Sequence, residues 1–292
     1  MRVERPVLVG VDGGEDAAAA VRWAVEEARL RCRPLRLVHA YQWLPPYGSL
    51  PPHPSVLDPD AAGVRRAAEA VVAGAVRRAA GLAPDLDVQG VAVEGPPVPV
   101  LLAEAELAEL VVLASRRLHA VGYVVLGSVG TGLAGHAPCP LVVVRCPAGL
   151  PDEGARVVAG VDGTAGSEAV LGYAFDHAAR HGASLAAVLC WQPHLGSVAR
   201  WRSGAAADAR VQARAWLSEA LAGWREKYPE VAVTAQVIDD HPVRGLVAES
   251  DGQHLLVVGA HPRRAMAVLP GSVSHGVLHR ATCPVAVVPT ED

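Results

Sequence analysis

Residues 7–13 read Val-Leu-Val-Gly-Val-Asp-Gly, and residues 157–163 read Val-Val-Ala-Gly-Val-Asp-Gly, an offset of 150. Gly127-Ser128-Val129 returns as Gly271-Ser272-Val273, an offset of 144. Cys139-Pro140 and the apolar run Leu141–Val144 return, also at 144, as Cys283-Pro284 and Val285–Val288. The landmarks keep their order, so the chain carries two copies of one unit, the second six residues shorter in its middle. A period this long is domain-sized, which excludes a solenoid of short repeats. The copies are assigned to residues 1–147 and 154–292, with 146–155 as the linker.

Around each landmark, short apolar runs alternate with helical periodicity. In the first copy, strands are expected near 6–11, 35–40, 87–93, 110–114 and 141–145. Helices are expected near 16–31, 60–80, 98–109 and 128–137. The second copy gives strands near 156–161, 184–190, 231–238, 254–259 and 284–289. Continuous apolar strands separated by helices imply an α/β fold whose parallel sheet is covered on both faces. Right-handed crossovers make each unit doubly wound and Rossmann-like, with five parallel strands.

Composition narrows the function classes. The 292 residues are 51% hydrophobic and 19% charged, which leaves ample core and no disordered signature. A net charge of −4 argues against a polyanion-coating protein, so no nucleic-acid partner is expected. Five cysteines without a C-x-x-C pair suit a reducing cytoplasm. Residues 120–144 lack charged side chains over a bilayer-spanning length. Seven Gly and Pro breakers in that stretch make it loop, short helix and strand, so no membrane span is expected.

Ligands of open α/β sheets bind beyond the carboxyl ends of the strands, at the switch point. Asp12 and Asp162 follow the first strand of each copy. Each could accept from a ribose hydroxyl or simply close an Asx turn in Asp-Gly. Ala40 and Cys190, ending the second strands, could hold an adenine edge through backbone groups. Gly127-Ser128-Val129 and Gly271-Ser272-Val273 open helices, where unpaired N–H groups suit a phosphate. Ser128 and Ser272 also read as N-cap residues, an alternative that capping alone would satisfy.

The run VLVGVDGG, then VEGPPVPVLL, then LVVLASRR…LGSVGTGLAGHAPCPLVVVR resembles the universal stress protein family. The second copy matches it with VVAGVDGT and LLVVGAHPRR…LPGSVSHGVLHRATCPVAVV. The resemblance implies a cytoplasmic regulator of stress or dormancy. In one branch of that family ATP occupies the cleft, on a Gly-x2-Gly-x9-Gly-Ser/Thr loop after the fourth strand. Here Ala114 and Arg117 replace the first two glycines of the first copy, and only Gly127-Ser128 remain. In the second copy Gly259 and Gly271-Ser272 remain, Pro262 replaces the middle glycine, and the spacing is one residue short. Pro262 removes an N–H donor, worth roughly 1.5–3 kcal/mol in a charge-assisted bond. Arg117 costs roughly 1–2 kcal/mol if φ there must be positive, which its guanidinium could offset by pairing with phosphate. The resemblance therefore implies ATP, with or without Mg²⁺, held weakly or in one unit only, the first being the better candidate. It also implies that the fifth strands pair, as across a family dimer, making the chain an internal pseudo-dimer able to dimerise further.

Two other readings remain open: a nucleotide-free scaffold acting by protein association, and a slow ATPase. No positioned general base or metal carboxylate supports the latter, so no dedicated catalysis is expected. Walker A, Gly-x-Gly-x-x-Gly after a first strand, and Gly-x-Ser-x-Gly are all missing. His275 and His279, at i and i+4 with His261 nearby, read as an exposed helix face or as metal ligands without a completing carboxylate. Cys139 and Cys283 read as small buried fillers. Residues 41–59, with six prolines and three aromatics, read as a stiff lid or as a partner-binding segment.

Overall fold

The computed structural model describes residues 4–43, 59–117, 124–125, 127–145, 154–190, 205–260 and 273–290. The first half contains β1 (Val7–Gly10), α1 (Ala17–Arg31), β2 (Leu35–Tyr41), α2 (Pro59–Leu82), β3 (Val88–Glu94), α3 (Pro97–Ala105) and β4 (Leu110–Ala114). A small ribbon of β5 (Arg116–Arg117) and β6 (Val124–Val125) follows, then α4 (Ser128–Ala134) and β7 (Leu141–Val144). The second half contains β8 (Val157–Val161), α5 (Ser167–His181), β9 (Leu185–Cys190), α6 (Ala205–Lys227), β10 (Val233–Ile238), α7 (Pro242–Glu249), β11 (Leu255–Ala260), α8 (Val273–Arg280) and β12 (Val285–Pro289).

Within each half the five main strands are parallel, in the spatial order β3-β2-β1-β4-β7 and β10-β9-β8-β11-β12. The order reverses between β1 and β4, and between β8 and β11. Val-rich strands are buried on both faces, which is why they read as unbroken apolar runs. On one face, alternate strand residues such as Val7, Val9 and Val112 pack with α1, α2, α5 and α6. On the other, Leu8, Val111 and Val143 pack with α3, α4, α7 and α8.

Two glycines set the spacing of those layers. A Cβ on Gly10 would lie 3.2 Å from Leu101 Cδ1 of α3, and one on Gly160 would lie 2.7 Å from Leu246 Cδ1 of α7. α1 closes with Cys32 in the left-handed region (φ 52°), and its twin α5 closes with Gly182 (φ 61°). Arg33 N–H then reaches Ala28 O at 2.8 Å, and Ala183 N–H reaches Ala178 O at 2.9 Å, satisfying late helix carbonyls.

The halves form one ten-stranded sheet, because β7 and β12 pair antiparallel. Val142 faces Ala286, its own counterpart 144 residues on, while Val143 faces Val285 and Leu141 faces Val287. A local dyad thus runs through the Val142–Ala286 pair. The expected pseudo-dimer exists inside the chain, and each half's fifth strand shields the other's edge. Residues 44–58, holding most of the proline-rich segment, lie outside the described residues.

Candidate functional site

Asp12 and Asp162 leave β1 and β8 into turns that require positive φ, supplied by Gly13 (78°) and Gly163 (83°). Gly14 N–H donates to Asp12 Oδ1 at 3.0 Å, and Thr164 N–H donates to Asp162 Oδ1 at 3.0 Å. Both aspartates therefore close Asx turns. In the second half the carboxylate is held further by Thr164 Oγ1 at 2.7 Å and Ser167 Oγ at 3.1 Å.

At this end of the second sheet lies a small cleft of about 100 Å³ that opens to solvent. Asp162, Cys190, Gly259 and Val273 line it together. These four come from the ends of β8, β9 and β11 and from the start of α8. Ser167, Pro242 and Thr290 also line it, and sequence reading did not single them out. A legible signal existed for Ser167 and Thr164: they stand where the first copy has Ala17 and Gly14.

Cys190 is half-buried, with Sγ 3.9 Å from Pro242 O. Burial, then the charges of Asp240 and Glu249, push its thiol up to about 11, so it is a neutral wall group near pH 7. Gly259 is confined: a Cβ there would lie 3.0 Å from Thr290 Cγ2 and 3.3 Å from Val170 Cγ2. In the first copy Ala20 stands at the Val170 position and Ala114 at the Gly259 position.

In the first half Ala40 lies near the end of β2 opposite Val93, and Ala114 ends β4 opposite Val144. Gly127 is the N-cap of α4, with φ −61° and ψ 164°. This corrects the reading of Ser128 as the cap. Ser128 is the first helical residue and no side-chain bond caps α4, because extended backbone at the cap position falls on Gly127. Val129 follows in the same first turn. Arg117 also departs from expectation. It sits in the extended ribbon opposite Val124, and Cys32 is the one non-glycine with positive φ among the described residues. The strain expected of Arg117 therefore does not arise.

Gly271 and Ser272, with His261 and Pro262, lie outside the described residues. His275 and His279 lie side by side on α8 with ring centroids 4.4 Å apart and planes tilted by 59°. Among the described residues the one cluster with metal-ligating geometry is elsewhere, at His177, His181 and His254. Cys139 and Cys283 are buried at the starts of β7 and β12, as expected of fillers. No helix among the described residues is long and apolar enough to cross a membrane.

The universal stress protein family model matches residues 4–145 and again 155–289. The chain belongs to the universal stress protein family. A universal stress protein of Mycobacterium tuberculosis (strain ATCC 25618 / H37Rv) is 37% identical over 294 residues, covering 98% of this chain and 97% of that relative. One from Mycolicibacterium smegmatis is 35% identical over 298 residues, covering 98% and 97%. Among solved structures, a universal stress protein from Archaeoglobus fulgidus aligns with a TM-score of 0.73 at 16% identity, covering 98% of this chain and 99% of that one. That likeness is one of fold, and it extends to the tandem arrangement of two universal stress protein units.

Proposed function

We propose that this universal stress protein binds an adenine nucleotide, ATP with or without Mg²⁺, and acts as a cytoplasmic regulator without dedicated catalysis. The observation that carries the reading is the second-half cleft, which gathers Asp162, Cys190, Gly259 and Val273 at the switch point of the sheet. Asp162, fixed by Thr164 and Ser167, would take the ribose hydroxyls. The backbone at Cys190 would face the base, and the N–H groups opening α8 would face the phosphates. In the first half Asp12, Ala40 and Gly127 fill the corresponding places, with Ala114 and Arg117 in the degenerate loop.

The affinity expected is below that of an intact-motif relative, because Pro262 lacks a donor and one lost charge-assisted bond is worth about one to two decades. Purified protein, denatured and chromatographed, tests this directly. Release of an adenine nucleotide, at less than two per chain, is the expected outcome. If none is released and none is taken up from millimolar Mg-ATP, the nucleotide-free scaffold is the correct reading.

A further inference from the structure

The seam between the halves holds a group of side chains that the nucleotide reading does not use. α1 and α5 are equivalent helices and meet near the dyad. Glu27 on α1 corresponds to His177 on α5, and Arg31 corresponds to His181, both at the offset of 150. Glu109, just before β4, corresponds to His254, just before β11. Its N–H bonds Pro6 O as that of His254 bonds Arg156 O. In the first half these three positions form an ion-pair cluster, with Arg31 2.6 Å from Glu27 Oε2 and 3.2 Å from Glu109 Oε1. In the second half all three positions are histidine. They gather on one side of the Glu27 carboxylate, at the amino ends of the strands and away from the cleft.

The geometry points to a divalent transition-metal site of the zinc class, with His177, His181 and His254 as nitrogen ligands and Glu27 of the other half as the oxygen ligand. Ligand atoms from the three imidazoles lie within 4.8 Å of one another. A tetrahedral zinc with bonds of about 2.0–2.1 Å holds its ligands about 3.3 Å apart, so closure asks for about 1.5 Å of side-chain adjustment. Glu27 Oε1 already lies 3.2 Å from His177 Nδ1 and 2.5 Å from His181 Nε2. Its other oxygen is fixed by Arg31, whose charge Glu109 and Asp176 also offset.

Two observations argue that this is more than a salt bridge. His177 is fully buried, yet neither ring nitrogen makes a hydrogen bond of good geometry, Nδ1 lying 3.2 Å from Glu27 Oε1. His254 Nε2 is likewise buried and unpartnered. Leaving such nitrogens unsatisfied in the interior is costly, and a metal would take up one nitrogen from each imidazole.

The full chain, stripped with a chelator, is titrated with Zn²⁺ against a chromophoric competitor. One tight site per chain is expected. His177→Gln and His254→Gln each weaken it by more than about 100-fold, the upper end for losing even an outer partner of a ligand. The double variant His275→Gln/His279→Gln leaves it unchanged. Absence of a tight site, or its loss only in the 275/279 variant, overturns the proposal. Co²⁺ bound to the unaltered chain gives an answer independent of how the variants fold. Intense tetrahedral visible bands support the site, and a pale octahedral spectrum overturns it.

Discussion

The guanidinium of Arg145, which follows β7 in the first half, donates to the carbonyl of Leu278 in α8 of the second half. A longer bond of 3.4 Å reaches Val277 O. Arg145 is almost fully buried, and its Nε and Nη1 have no partner. Burial pushes its pKa down to about 10, still charged at neutral pH. Val277 O already accepts from Ala281 N–H at 2.8 Å, so the guanidinium mainly serves the Leu278 carbonyl and complements the helix dipole.

Arg145→Ala removes these bonds and leaves a void at the seam. The expected cost is about 2–4 kcal/mol, combining lost charge-assisted bonds with a cavity. Urea unfolding measures it, with Arg145→Lys keeping part of the stability. A change under about 0.5 kcal/mol for the alanine variant would show that the clasp is idle.

The two copies provide internal controls for backbone effects. Cys32 holds a left-handed φ of 52° where the twin position is Gly182. Cys32→Gly should raise stability by about 0.5–1 kcal/mol, because the left-handed penalty exceeds the entropic cost of glycine. A lower thermal midpoint for that variant counts against the assignment.

Gly63, inside α2, has nothing within 4 Å of a built Cβ, whereas Gly160 has Leu246 Cδ1 at 2.7 Å. Gly63→Ala should stabilise by about 0.4–1 kcal/mol, and Gly160→Ala should destabilise by about 1–3 kcal/mol. Paired thermal melts decide this. Effects of the same sign would mean that α7 does not pack on β8 as described.

Cys190 lines the cleft with a thiol pushed up to about 11. Alkylation proceeds through the thiolate, so at pH 8 it should be about two to three decades slower than for an unperturbed thiol of pKa about 8.5. The rate should keep rising toward pH 11. Peptide-resolved mass spectrometry separates Cys190 from Cys32, which is exposed. A plateau already at pH 9 would contradict the half-buried, carboxylate-flanked setting.

The repeat made the fold legible. Matching landmarks at Val7–Gly13 and Val157–Gly163, with apolar runs too continuous for a one-sided sheet, admit little besides tandem parallel units. The antiparallel joint of β7 with β12 was legible only through resemblance to a family, since strand pairing leaves no local mark. Asp162, Cys190 and Gly259 could be placed because strand ends locate themselves in a doubly wound sheet. Thr164 and Ser167 escaped notice because hydroxyls in a turn read as turn chemistry. The His177–His181–His254 group was hidden for a different reason. The sequence holds two i, i+4 histidine pairs, and the pair at 275 and 279 drew the metal reading. What distinguishes 177 and 181 is Glu27, 150 residues away, which only the dyad brings to them.

Binding of ATP to the full chain and to Asp162→Asn, followed by calorimetry in Mg²⁺, tests the central claim most directly. The asparagine keeps an acceptor for Thr164 N–H, so the turn survives while the charge is lost. The account predicts measurable binding to the unaltered chain and about tenfold weaker binding to the variant, the difference between a charge-assisted and a neutral bond. Equal affinity for the two would contradict a nucleotide seated at the end of β8.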